Sequence, residues 1–482
     1  MIDHGVLVIE EDTALTAPVT GTCAIPVVVG TAPVNMVEDP AAAVNTPILA
    51  NSAAEAMAAL GYVTDFKAYT LCQMMYVTNN VYQISPVVYV NVLDPAKHKK
   101  TLSETTATVS QMQAKVDTKG IILNGLTVKA ASATLTLGTD YTTEFDTDGG
   151  LLVNLIEGGK GASATSITVS GNVLDPSMVT KEDIIGAYNA STGKESGLEV
   201  IRQVKPKLGV VPGLIIAPGW SKIPEVGIAM SAKAANINGV YKATAIPDLD
   251  TTKAKKYTDC KKVKEDSGFT SKFSYPLWPC AKIGEYILSF STVAAACIAY
   301  TDANNDDIPS RSPSNKLLGI TGLCLEDGTE VILDQDQANT VNGYGVATGL
   351  NMNGWKLWGN YTGAYPATKD VKDMWLPVRR MFNWHSNIFI DTYFEKVDDP
   401  MNPVLIETVT DSENIRLGAY VPDKMAGAEM QYLASDNPIT NALAGIITFR
   451  QRIAPYTPAE VIKDIVSYDT DMLKSTLSGG GE

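Results

Sequence analysis

Several groups of residues in this sequence are of types that could do chemistry. Ser221 lies in GLIIAPGWSK (213–222), where an apolar run ends in Pro-Gly. A nucleophile elbow needs G-x-S-x-G, because both glycines permit the strained turn that exposes the hydroxyl. Here Gly219-Trp220-Ser221-Lys222-Ile223 lacks the second glycine and Pro224 follows, so Ser221 reads as a helix N-cap or turn with Pro224 and Glu225 in the first turn. Gly158-Gly159-Lys160 resembles the end of a phosphate loop, but Asn154 stands in place of the first glycine and Gly161 in place of Ser or Thr. It lies between two strand patterns and reads as a hairpin turn. Gly343-Tyr344-Gly345 with Gly349 misses the dinucleotide spacing by one residue. The acidic run DANNDD (302–307) would need Gly at 307 and Glu at 313 to be a calcium loop; it has Asp307 and Pro313, so a solvated loop is expected. Arg379-Arg380 reads as a salt-bridging pair at a helix start. The only histidines, His4, His98 and His385, carry no hydrolase motif. No catalytic, metal or cofactor constellation assembles from these residues, and the expectation is a protein that is not an enzyme and has no cofactor.

The elements that would position such residues alternate. HGVLVIEE (4–11) is an isolated strand with no local hairpin partner, and PVVVG (26–30) is a short buried strand. SAAEAMAAL (52–60) is a helix with Ser52 as N-cap and Glu55 completing a capping box. Thr70 to Asn79 is helical and PVVYVNV (86–92) is another buried strand. From about Lys97 to Met178 the chain turns Thr-, Ser-, Gly- and Val-rich in short alternating pieces separated by DTDGG and EGGKGAS, an inserted all-β, sandwich-like domain. Helix and strand patterns resume from EDIIGAYNAS (182–191) through GLIIA and EVGIAMSAKAANI to VYKATAIPD (240–248). A second α/β segment starts near Trp375 and ends in a strand pattern at Gly445 to Ile453. Neither chain end has a sequence-adjacent partner, so both are expected to reach outward.

With 482 residues the chain exceeds one ordinary core, and two to four domains are expected. A net charge of −15 argues against a nucleic-acid surface, which needs clustered Lys and Arg. MIDHGVLVIEED lacks the basic start and long apolar stretch of a secretory signal. The longest apolar candidate, TVAAACIAY (292–300), is too short to span a bilayer, so no membrane insertion is expected. Six cysteines without a C-x-x-C pair read as scattered buried thiols of a reducing compartment.

The order of several segments resembles one family, the contractile tail sheath proteins of bacteriophages and related injection systems. HGVLVIEEDT is similar to its opening strand, and KEDIIGAYNASTGKESGLEVIRQV to the helix before its central strand. GLIIAPGWSK matches the strand and loop seen there as an apolar run plus A-P-G. ACIAYTDANNDDIPSRSPSNKLLGITGL resembles the stretch in which an apolar strand leads to A-R-T-D and a later P-x-N-x-x-L-x-G. NGYGVATGLNMNGWKLWGN resembles the Asn-containing turn, Gly-rich strand and W-G. LPVRRMFNWHSNIFID resembles the V-R-R helix, and ASDNPITNALAGIITFRQRIAPYTPAEVIKDIV the N-P-T, G-x-x-x-F and Pro-rich terminal strand. The resemblance covers the chain except about 97–178. Tyr300 and Asn360-Tyr361 stand where an arginine is common, so ion pairs made by those arginines are expected to be replaced here.

The resemblance implies an α/β (α+β) multidomain sheath core with an inserted all-β domain and extended arms at both ends. The expected division is an N-terminal arm and linker at 1–20, core at 21–96, and an outward-facing β insertion at 97–178. Core then resumes at 179–370, with a C-terminal α/β domain facing the tube at 371–454 and a C-terminal linker, arm and tail at 455–482. It implies a structural subunit that stacks as hexameric rings around a tail tube and contracts, driving the tube through a target envelope. Its partners would be further copies of itself, the tail tube protein, and baseplate and tail terminator proteins. An exposed sheet edge accepts a strand from another chain. Gly5 to Glu10 (Val6, Val8, Glu10) and Val461 to Ser467 (Val461, Lys463, Ile465, Ser467) are the expected inter-subunit strands. Thr13 to Gly21 and Pro455 to Pro458 would be their linkers. The plainer alternative is that both strands pair within their own subunit. Arg416 and Lys424 are the cationic candidates for tube contact. Two other classes compete: an α/β hydrolase or nucleotide-binding enzyme, resting on GLIIAPGW, and a static surface-layer or adhesin protein, resting on the Thr-rich β segment.

Overall fold

The structure is a computed structural model and describes residues 19–20 (backbone only) and 22–478. Its centre is a five-stranded sheet in the order Thr244–Ala245, Leu214–Ile216, Pro26–Gly30, Val87–Asn91, Pro47–Ala50. The pairings are parallel except the last, which is antiparallel. Val27 sits level with Val88 on one side and Ile215 on the other. Such strands are covered on both faces, which is why PVVVG and GLII read as unbroken apolar runs. The helices Leu71–Asn80, Pro224–Ala235 and Phe290–Ala303 pack against them. Beside this lies a four-stranded antiparallel sheet of Tyr286–Leu288, Cys280–Ile283, Gly322–Cys324 and Glu330–Val331.

Between Lys99 and Leu174 the chain forms a seven-stranded antiparallel sheet around its own apolar cluster, which includes Val116, Val128, Leu151, Val153, Ile167 and Val169. Leu174 pairs with Lys99, so the chain enters and leaves this sheet on neighbouring strands. The glycine-lysine stretch lies in the loop between Gly150–Leu155 and Ser166–Leu174, where the Lys160 amide is held by the Asp140 carboxylate at 2.9 Å.

Towards the C-terminus, helices Leu376–Tyr393 and Pro403–Gly418 precede a hairpin of Met425–Tyr432 with Phe449–Pro455. A small separate cluster of Ile308, Met381, Trp384 and Met425 sits beneath it. Beyond Pro455 the chain has no regular structure until the helix Thr470–Ser478.

Several sequence expectations are corrected. The expected apolar strand ending in Tyr300 is part of the helix Phe290–Ala303. Its run Ala294-Ala295-Ala296 has the highest helix propensity, and burial on nearly every side hides the helical period. The helix expected over 182–191 ends at Ile185. Gly186 adopts φ +69°, and a Cβ there would lie 1.8 Å from the Ser196 carbonyl oxygen, so the backbone turns back in a contact only glycine permits. GLEVIRQV then forms a 3-10 helix, Gly197–Gln203. The supposed linker Thr13–Gly21 contains a short strand, Val19–Thr20, parallel to Ile84–Ser85. Ser52 caps its helix, accepting the Glu55 amide at 3.1 Å, but Glu55 accepts from the Asn51 amide rather than closing the box on Ser52.

Candidate functional site

At the end of the Leu214–Ile216 strand the chain turns through Gly219, with φ +77°, and delivers Ser221 to a fully buried position. The helix that follows starts after Ile223, so Ser221 is not its cap. Its hydroxyl instead donates to the Asp248 carboxylate at 3.0 Å and accepts the Asp248 amide at 3.1 Å. Asp248 also takes the Ser291 hydroxyl at 2.6 Å and the Ser291 amide at 2.8 Å. Ser291 lies in the first turn of the Phe290–Ala303 helix, where a negative charge is favoured by the helix dipole. Burial nevertheless pushes Asp248 up to about 6, against the pull of the Ser291 and Ser221 donors. The arrangement ties three elements together. Among the described residues the hydrogen-bond partner of the Ser221 hydroxyl is Asp248, and neither His98 nor His385 reaches it.

The acidic run 302–307 is not simply a solvated loop. Asp302 and Arg380 form a bidentate pair with side chains 1% and 4% exposed. Burial works against the Arg380 charge, but the Asp302 carboxylate outweighs it and holds the guanidinium above its ordinary range. Arg379 pairs with Asp373 at 3.1 Å, so both arginines bridge as their position suggested. The Asp307 carboxylate accepts the amides of Thr22 and Cys23, fixing where the N-terminal segment joins the core. Lys424 bonds Asn305 at 3.1 Å, Asp306 at 2.8 Å and Asp423 at 3.0 Å. With these carboxylates already engaged, no group of three or more metal-type ligands forms among the described residues.

Of the residues expected to meet other subunits, Val6, Val8 and Glu10 lie outside the described residues. Val461, Lys463, Ile465 and Ser467 run along an exposed stretch with no strand partner in their own chain among the described residues. Val461 is 70% and Ile465 92% exposed. Arg416 donates to the fully buried Glu413 at 2.5 Å and contacts His385 at 3.2 Å. Both cationic candidates are therefore engaged internally.

Sequence reasoning missed the seat of the tail. Tyr361 donates its hydroxyl to Glu460 at 2.6 Å, and Asn360 reaches the same carboxylate at 3.4 Å. The Tyr361 ring is stacked on Tyr365 at 3.9 Å and on Trp375 at 4.8 Å. A cleft of about 710 Å³ beneath this point is lined by Arg311, Lys316, Trp358, Tyr361, Glu460 and Ile462. The one signal available was that Asn360-Tyr361 replaces an arginine; the arginine's partner was not readable. Tyr300, the other departure, meets the Tyr82 ring at 5.6 Å.

No family model matches the chain. The tail sheath protein of Burkholderia phage BcepMu is 26% identical over 99% of this chain and 98% of its own length. A putative prophage major tail sheath protein of Pseudomonas aeruginosa strain UCBPP-PA14 is 26% identical over 62% of this chain and 75% of its own. The relatives that the chain resembles are thus tail sheath proteins of phages and of a prophage. Solved structures agree in fold. A chain of the anti-feeding prophage baseplate superposes with a TM-score of 0.58 at 14% identity, covering 97% of this chain and all of that one. The sheath of an extracellular contractile injection system in its contracted state gives 0.55 at 14% identity, covering 98% and 99%. No helix among the described residues is long and apolar enough to cross a membrane.

Proposed function

We propose that this chain is the structural subunit of a contractile sheath. It polymerises as stacked, hexameric rings around a tail tube and shortens to drive the tube through a target envelope. The observation that carries the reading is similarity to a phage tail sheath protein over 99% of this chain. Six-fold order is suggested by the symmetrised anti-feeding prophage baseplate, and contraction by the two sheath structures described as contracted. The free energy of contraction would come from subunit contacts, with no nucleotide site required. The work would be done in the tail of a virion or in a related injection device, with tube, baseplate and terminator proteins as further partners.

The division at 1–20, 21–96, 97–178, 179–370, 371–454 and 455–482 is part of the proposal. The separate core of the seven-stranded sheet supports treating 97–178 as an insertion that faces outward, clear of the ring. Val461 to Ser467 would pair with a sheet edge of a neighbouring subunit, and Gly5 to Glu10 would do the same from the other end. The exposed apolar side chains of Val461 and Ile465 support this, since alternating residues of an added strand enter pockets of its host. Arg416 and Lys424 remain the tube-facing candidates within 371–454. Their internal carboxylate partners weaken any long-range attraction to the tube, so short-range contact would dominate.

Negative-stain electron microscopy of the expressed protein tests the proposal, with tubes or stacked rings as the expected result. A full-length preparation that stays monomeric at high concentration would overturn it. Removing 1–12 should abolish long assemblies while leaving the monomer folded; full-length sheaths from that variant would count against the N-terminal arm.

A further inference from the structure

The six cysteines show no motif in the sequence, yet the fold sets two of them directly opposite each other. Cys280 and Cys324 are register partners on adjacent antiparallel strands, Cys280–Ile283 and Gly322–Cys324. Directly opposed residues share a sheet face, with Cβ atoms about 4.5–5.5 Å apart, which meets the upper end of the span a disulfide bridges. Among the described residues, no other two cysteines are paired in register. Both are free thiols; Cys324 is buried and Cys280 is partly open to solvent.

We propose that Cys280 and Cys324 form a dithiol site that low-molecular-weight disulfides, of the oxidised-glutathione class, convert to an internal cross-strand disulfide. Cys280 is the attacking residue. It gives its proton to solvent, and its thiolate attacks one sulfur of the small disulfide, breaking that S–S bond and releasing one thiolate. Cys324, deprotonated in turn, attacks the Cys280 sulfur of the mixed disulfide, and the second small thiolate leaves. Two protein thiols are oxidised and one small disulfide is reduced to two thiols, which take up the released protons.

The surroundings set the rate. Burial, with the Asp248 carboxylate, the Cys324 thiol and the Glu326 carboxylate adding to it, pushes the Cys280 thiol up, and only Lys222 acts in the opposite sense. Lys222 is itself paired with Glu326 at 2.5 Å. The site is therefore slow: the thiols stay reduced through assembly in a reducing compartment and oxidise on long exposure to an oxidising medium. The cross-link would close the chain from Cys280 to Cys324 around the Phe290–Ala303 helix, whose Asp302 carries the buried pair with Arg380. Closing that loop restrains the unfolded chain.

The test uses the intact, natively folded protein. It is incubated at about pH 8 with oxidised glutathione or with dithiothreitol, quenched in acid, alkylated and digested without reduction. Mass spectrometry of the oxidised sample should show one new cross-linked species, joining the Cys280 and Cys324 peptides and lighter than their sum by two hydrogens. The oxidised sample should also melt at a higher temperature than the reduced one, and dithiothreitol should remove the difference. Cys324→Ala should accumulate a glutathione adduct at Cys280, whereas Cys280→Ala should not cross-link at all. Recovery of both thiols fully alkylated, or a lasting glutathione adduct on Cys280 in the unsubstituted protein, would overturn the proposal. Should either variant fail to fold, the peptide result on the unsubstituted protein decides alone.

Discussion

Val27, Val28 and Val29 of the central strand are wholly buried, whereas Ile462, Ile465 and Val466 of the tail are 90%, 92% and 84% exposed. The residue types are nearly the same, and the environments are opposite. In the core, helices cover both faces of a mostly parallel sheet, and each such side chain contributes roughly 1.5–3 kcal/mol by leaving water. Among the described residues, no element of the same chain covers the tail side chains. The tail is nonetheless tied down at its root, where Glu460 meets Tyr361. The difference teaches that the apolar residues of this chain divide between a covered core and an uncovered tail.

The comparison breaks most readily at the buried ion pair. Arg380→Ala leaves the buried Asp302 carboxyl without its cation, and should cost about 3–5 kcal/mol in urea unfolding. A loss below about 1 kcal/mol would mean that the pair is not part of the sealed core.

The next effect is pH dependence at Asp248. Its folded pKa lies near 6, above the ordinary 3.8, so the folded state binds more protons than the unfolded state between these values. Stability should therefore fall as pH rises through that window, by up to about 3 kcal/mol, with the loss complete above about pH 6. Asp248→Asn should flatten that part of the curve of urea midpoint against pH. An unchanged slope would place the titration elsewhere.

At the root of the tail, Tyr361→Phe keeps the ring stack but removes the donor to Glu460. Stability of the body should change by only about 1 kcal/mol, while limited proteolysis after Pro458 should speed up. Equal cleavage rates would show that the hydroxyl does not hold the tail. The smallest effect on folding belongs to Ile465→Ser, expected within about 0.5 kcal/mol by denaturant unfolding. The same variant should assemble markedly less by sedimentation. A large folding loss with normal assembly would reverse the division between core and tail.

Much of the architecture is legible in local pattern. PVVVG is the central strand at its predicted bounds, and SAAEAMAAL is a helix with Ser52 as its cap. In the 97–178 segment the alternating pieces and Gly-rich turns announce strands, and DTDGG does close a turn, with Asp146 accepting the Gly150 amide at 2.8 Å. Legibility ends where a residue's role depends on a distant partner. Ser221 has the local marks of a cap, but its partners Asp248 and Ser291 are remote in the chain. Asp302 looks like one acid in a hydrophilic run until the helix bearing Arg380 is packed against it. Over ACIAY the family resemblance implies a strand where the structure has the Phe290–Ala303 helix, and the local pattern offers no check because nearly every side of that helix is covered.

The sequence by itself determined which segments are apolar, where glycine and proline interrupt them, and, through the order of seven motifs, the resemblance to tail sheath proteins. Those properties are local or additive along the chain, so they survive without a fold. Tertiary structure alone decided which charges are neutralised, which thiols face each other, and which apolar residues stay uncovered. Each of these is a relation between segments far apart in sequence, fixed only when packing brings their side chains within hydrogen-bonding or contact distance.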